Sequence, residues 1–97
     1  GPSGDFVSSP KVRLNTPITS VCNTAPGIYC KITFTNEGGV TKSLAQETTD
    51  RGGSAYWNNW TPQSIELAPG SWKIQAIATL NGQAKTSADK LPLVVTQ

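Results

Sequence analysis

Residues 67–82, Leu-Ala-Pro-Gly-Ser-Trp-Lys-Ile-Gln-Ala-Ile-Ala-Thr-Leu-Asn-Gly, hold a turn, a strand and a second turn in unbroken succession. Pro69-Gly70 sets the first turn, because proline fixes its own φ and glycine accepts the positive φ that a tight turn demands. Trp72, Ile74, Ala76 and Ala78 then recur at every second position, the period of a half-buried strand. Asn81-Gly82 are the residue types most tolerant of positive φ, which makes them a hairpin tip. A chain organised around such a unit is expected to be a β-sandwich.

The remaining segments carry the same period. Val12 and Leu14 alternate in a short strand that stops near Pro17, and residues 18–21 resume it across a kink. Ile28, Cys30, Ile32 and Phe34 line one face of the next strand, with Tyr29, Lys31, Thr33 and Thr35 on the other. Asn36-Glu37-Gly38-Gly39 ends that strand in a hairpin-type turn, and residues 40–47 return with Val40 and Leu44 as their apolar positions. Residues 55–62 are dense in aromatic side chains and follow no clean period. Residues 63–67 read as a short strand with Ile65 and Leu67 inward, and residues 83–88 and 91–95 as the last strands, with Pro92 marking an edge or a kink. Nothing reads as helical. The pattern predicts an all-β fold, a two-sheet antiparallel sandwich of about seven strands with Greek-key links.

With 97 residues the chain forms one domain with a thin core. Gly1-Pro2-Ser3-Gly4 reads as the remnant of a cleaved purification tag, so residues 1–9 are expected to be a disordered lead-in and residues 10–97 the module, cut from a longer protein. Net charge is +2, and the basic residues Lys11, Arg13, Lys31, Lys42, Arg51, Lys73, Lys85 and Lys90 are scattered singly among the acids. Without a basic stripe to release counterions, neither nucleic acid nor an anionic membrane is an expected partner. No apolar run approaches the roughly 20 residues of a membrane span.

Cys22 and Cys30 bracket the turn-rich Asn23-Thr24-Ala25-Pro26-Gly27, which can fold back and bring the two sulfurs together. A disulfide is the favoured reading and implies an oxidising compartment. Two unlinked thiols, one of them buried on the strand of Ile28, Ile32 and Phe34, are the alternative. A metal site is a third, although two thiolates alone cannot complete a tetrahedron.

The proline-led first strand, the strand at residues 28–35, the aromatic-rich middle and the Leu-x-Pro-Gly-x-aromatic turn leading to Asn-Gly together resemble bacterial Ig-like and fibronectin type III-like modules. The likeness spans the chain from Pro10 onward. In those modules the aromatic of the turn is usually a tyrosine docked on the core; Trp72 stands there in this chain. The pair of cysteines that bridges the two sheets in antibody domains is not expected here, because Cys22 and Cys30 lie so close in sequence. The resemblance implies a secreted or cell-surface bacterial protein, and an accessory module of the kind found on glycan- or mucin-degrading enzymes and on adhesins.

Catalysis needs a base, a nucleophile and an orienting group. The chain has no histidine, and its serines sit in no Gly-x-Ser-x-Gly elbow. Glu47 and Asp50 are the one candidate carboxylate pair, and they read more simply as solvated loop charges. No calcium ladder or phosphate-cradling loop occurs, so no cofactor is expected and the chain is read as a non-enzyme.

The aromatic residues carry the sharper signal. Trp72 is in phase with Ile74, Ala76 and Ala78, which favours core packing, with ligand contact as the alternative. Tyr56 and Trp57 are adjacent, so in an extended strand one of them faces inward. Trp60 follows Trp57 by three positions, with Asn58, Asn59, Thr61 and Gln63 around it. An exposed indole stacks on the C–H face of a pyranose while flanking amides bond its hydroxyls, so Tyr56, Trp57, Asn58, Asn59 and Trp60 form a candidate carbohydrate site. Glycans or glycoproteins, and neighbouring domains of the parent chain, are then the expected partners. The competing reading is that Trp57 and Trp60 cap a thin sandwich, which leaves a spacer or protein-interaction module with no ligand of its own. Exposure of the two indoles separates these readings.

Overall fold

The computed structural model describes residues 1–4, 6–7, 10–89 and 91–97. Among these residues nine strands follow one another: β1 (Lys11–Arg13), β2 (Ile18–Asn23), β3 (Tyr29–Asn36), β4 (Thr41–Ser43), β5 (Glu47–Thr48), β6 (Ser54–Trp60), β7 (Gly70–Leu80), β8 (Gln83–Ala88) and β9 (Leu93–Thr96). They form two sheets. The larger has seven strands along the path β1-β9-β7-β3-β4, with β5 on β3 and β8 on β7; the smaller is the pair β2-β6.

The larger sheet is built outward from the antiparallel pair β3–β7, in register from Tyr29–Thr79 to Asn36–Trp72. Side by side, these are the two segments with the clearest alternation in the chain, and their apolar faces coincide: Cys30 lies opposite Ala78, Ile32 opposite Ala76 and Phe34 opposite Ile74. All six are buried. On the far side of β3, the expected strand at 40–47 breaks into β4, against Thr33–Thr35, and β5, against Tyr29 and Cys30. Val40 is exposed and only Leu44 turns inward. On the far side of β7, β9 pairs with Gly70–Trp72 and β8 with Gln75–Leu80, so the kink expected at Pro92 falls between two pieces of one edge.

The strand pattern and the lead-in correct three expectations. The sandwich is not antiparallel throughout, because β1 runs parallel to β9, Val12 opposite Val95. Residues 63–67 do not form a strand. Pro62–Ile65 is a single 3-10 turn, started by a reciprocal cap in which Thr61 Oγ1 accepts from the Ser64 amide and Ser64 Oγ accepts from the Thr61 amide. Proline at its first position and Glu66 at φ 62° close it at both ends, and Leu67 is still delivered to the core. Third, the lead-in is packed rather than disordered where it is described. Phe6 is 2% exposed within the core, Pro2 is buried, and Ser3 exchanges two backbone hydrogen bonds with Asn23, at 2.8 and 2.6 Å.

The core fills the space between the sheets. Val12, Ile18, Ile32, Phe34, Leu44, Leu67, Trp72, Ile74, Leu93 and Val95 join the cysteines and the two β6 indoles in one cluster. Trp72 is buried as its phase requires, and its indole N–H donates to the Ala68 carbonyl at 2.9 Å, tying the strand to the Pro69-Gly70 turn before it. Cys22 and Cys30 are joined in a disulfide. Cys22 belongs to β2 and Cys30 to β3, so the bond does bridge the two sheets, contrary to the expectation drawn from their short separation. The turn at residues 24–28 crosses from one sheet to the other, which is how cysteines so close in sequence come to face each other across the core.

That crossing turn is held by one hydroxyl. Buried Thr49 accepts from the Ile28 amide through Oγ1 at 2.8 Å and donates from the same atom to the Ala25 carbonyl at 2.7 Å. On its other side Gly53, at φ 84°, gives its carbonyl to the Thr24 amide at 2.8 Å. A Cβ at Gly53 would run into the Thr24 carbonyl oxygen, so only glycine fits.

Candidate functional site

The predicted carbohydrate residues all lie on or at the end of β6. This strand pairs with β2 alone, Cys22 opposite Ala55, Val21 opposite Tyr56 and Ser20 opposite Trp57. Odd positions of β6 face the core and even positions face outward, which buries Ala55 and Trp57 and leaves Tyr56 54% exposed. Asn58 is exposed on the same outer side as Tyr56.

In an unbroken strand Trp60 would join Tyr56 and Asn58 outside. It does not, because the pairing slips between Ile18 and Ser20: Ser20 meets Trp57, yet Ile18 meets Trp60. Asn59 is the extra residue. It sits at φ 55°, in the left-handed region that asparagine tolerates better than most residues, and the bulge it makes reverses the parity of everything after it. Trp57 and Trp60 therefore point the same way, into the core, at 7% and 8% exposure.

Each indole is also satisfied internally. Trp57 Nε1 donates to the Ala45 carbonyl at 2.7 Å, pinning the 44–46 loop across the open side of the core. Trp60 Nε1 donates to Ser20 Oγ at 3.0 Å, and its ring lies 5.3 Å from that of Phe34 at an interplanar angle of 50°. Ser20 is fully buried, so its hydroxyl sits in the core chiefly as a partner for that indole. Of the five residues, the fold brings Tyr56 and Asn58 together on the outer face, sets Asn59 on the bulge, and takes both indole faces out of reach of a ligand. The platform of exposed indoles that sugar stacking requires is not formed.

Of the two carboxylates, Asp50 is put to structural use. Asp50 Oδ1 accepts from the Gly52 and Ser54 amides at 2.9 and 3.0 Å and so shapes the loop into β6, while Glu47 is exposed on β5. Sequence reasoning did not anticipate a cleft of about 680 Å³ under the β7–β8 hairpin, with Ile28, Ala78, Leu80, Asn81, Gln83 and Lys85 among its lining residues. It arises because β7, at 11 residues, outruns the 6 and 7 residues of β2 and β6. Leu80 continues the inward face of β7 beyond the smaller sheet and is left 51% exposed. Its place in phase with Ala78 was the available signal.

Comparison with family models, with curated proteins and with solved structures finds no match to this chain.

Proposed function

We propose that this chain is a non-catalytic Ig-like or fibronectin type III-like module of an extracellular bacterial protein, serving as a spacer or protein-interaction unit rather than gripping a sugar with its tryptophans. The observation that carries this reading is the inward orientation of Trp57 and Trp60, both buried and both spending their indole N–H on internal acceptors. A stacking site needs an open ring face, and these faces are occupied by the core.

The module reading draws further support from topology. The all-β, two-sheet architecture, with the path β1-β9-β7-β3-β4 in one sheet and the pair β2-β6 in the other, is compatible with such a module. The disulfide suits an oxidising compartment. The test is a titration of isotopically labelled protein with mucin glycans, chitin oligosaccharides and soluble plant polysaccharides at millimolar sugar. The indole resonances of Trp57 and Trp60 are expected to stay in place and tryptophan fluorescence to stay unquenched. Saturable shifts of either indole would restore the carbohydrate reading.

A further inference from the structure

Sheet edges are sites where another chain can pair, and proteins protect them with charges, proline, short length or a covering segment. Most open edges of this fold carry such a device. β1 has Lys11 and Arg13, β4 is 3 residues long and has Lys42, β5 is 2 residues long and has Glu47, and β8 has Lys85. The outer edge of β2 is met by Ser3, through its two bonds to Asn23.

β6 differs. Its 7 residues, Ser-Ala-Tyr-Trp-Asn-Asn-Trp, include no charge and no proline, and among the described residues no strand pairs with its outer side. The Thr24 amide bonds the Gly53 carbonyl, so alternation directs the backbone of Ala55 and Trp57 toward β2 and that of Tyr56 and Asn58 away from it. Ser54 shares the outward direction but is already engaged, its amide by Asp50 Oδ1 and its carbonyl by the Asp50 amide. Asn59 ends the flat edge with its bulge. What remains is a short, uncharged, outward-facing ladder of two residues, with the exposed Tyr56 ring beside it.

We infer that this edge is a homodimer interface, in which β6 pairs antiparallel with β6 of a second copy about a two-fold axis at Trp57. Tyr56 then lies opposite the second copy's Asn58, and Asn58 opposite its Tyr56. Each pair exchanges N–H to carbonyl bonds in both directions, so the free groups of both edges are used in one isologous contact. The strand's lack of charge is what favours a second copy: two identical edges meet without like-charge repulsion. The pairing would join two β2-β6 sheets into one of four strands.

This inference rests on the interaction-module reading and is tested apart from it, since sugar titration addresses the indoles and not the edge. Sedimentation velocity from micromolar to about millimolar protein should show a reversible monomer–dimer equilibrium. Amide hydrogen exchange at Tyr56 and Asn58 should slow as the dimer fills. Tyr56→Lys combined with Asn58→Lys sets lysine opposite lysine at each pair and should weaken association at least about tenfold, equivalent to about 1.4 kcal/mol. Both sites are exposed, so the variant should keep its amide dispersion; should it fail to fold, the single Tyr56→Lys variant takes its place. A monomer at every concentration overturns the inference. So does a dimer that survives the lysines, or protection of the Tyr56 and Asn58 amides already complete in the dilute monomer.

Discussion

Trp60 donates its indole N–H to the Ser20 hydroxyl at 3.0 Å, inside the core and across the slipped register of β2 and β6. The bond joins the residue that a surface site most needed to a serine with no surface at all. It also makes Trp60 a structural residue of the same rank as Trp72.

Trp60→Ala and Trp72→Ala should therefore destabilise the domain to a similar degree, about 3–5 kcal/mol each, the range for emptying a large buried aromatic site. Urea denaturation of the two variants checks this. A Trp60→Ala cost under about 1 kcal/mol would mean that its ring is not packed on Phe34 as described.

Ser20→Ala removes the acceptor and keeps the packing. The buried indole N–H is then left without a partner, a loss of about 1–3 kcal/mol. Equilibrium unfolding should show it, and the Trp60 indole proton should move upfield in the NMR spectrum as its hydrogen bond disappears.

Asn59 tests the bulge. Asn59→Gly should be tolerated to within about 1 kcal/mol, since glycine adopts the left-handed backbone freely but gives up more chain entropy. Asn59→Val should cost more, about 1–2 kcal/mol, because a β-branched side chain clashes at positive φ. Comparing the thermal midpoints of the pair separates backbone conformation from any role of the side-chain amide.

Thr49→Val keeps shape and removes the hydroxyl that links Ile28 to Ala25. A buried amide and a carbonyl lose their partner together, and about 1–3 kcal/mol should go with them. Chemical denaturation measures the loss, and the Ile28 amide should exchange faster with solvent deuterium.

Reduction of the Cys22–Cys30 bond should lower stability by about 2.5 kcal/mol in the chain-entropy model, the small value reflecting the short loop it closes. Denaturation with and without reductant tests this. Alkylation without reductant should leave the native mass unchanged.

Much of the fold was legible because it is local. Alternation in residues 28–35 and 72–78 placed the central pair β3–β7, and Asn81-Gly82 placed the hairpin tip, since each depends on side chains a few positions apart. Apolar spacing misleads where a local cap competes with it and where pairing partners are distant. Residues 63–67 look like a strand by apolar spacing, yet Thr61 and Ser64 cap them into a 3-10 turn. Residues 40–47 break because β3 offers pairing at two separate places.

The candidate site shows the division most clearly. The sequence by itself determined that Tyr56 and Trp57 face opposite ways wherever the chain there is extended, and that the cysteines flanking residues 23–29 can meet. Only the tertiary structure decided that Trp60 faces inward and that the disulfide spans two sheets. Strand parity is a local property until a residue is added against the partner strand. Asn59 can take the left-handed conformation, and the Phe34 ring and Ser20 hydroxyl supplied from β3 and β2 give the indole an apolar neighbour and an acceptor once the bulge turns it inward.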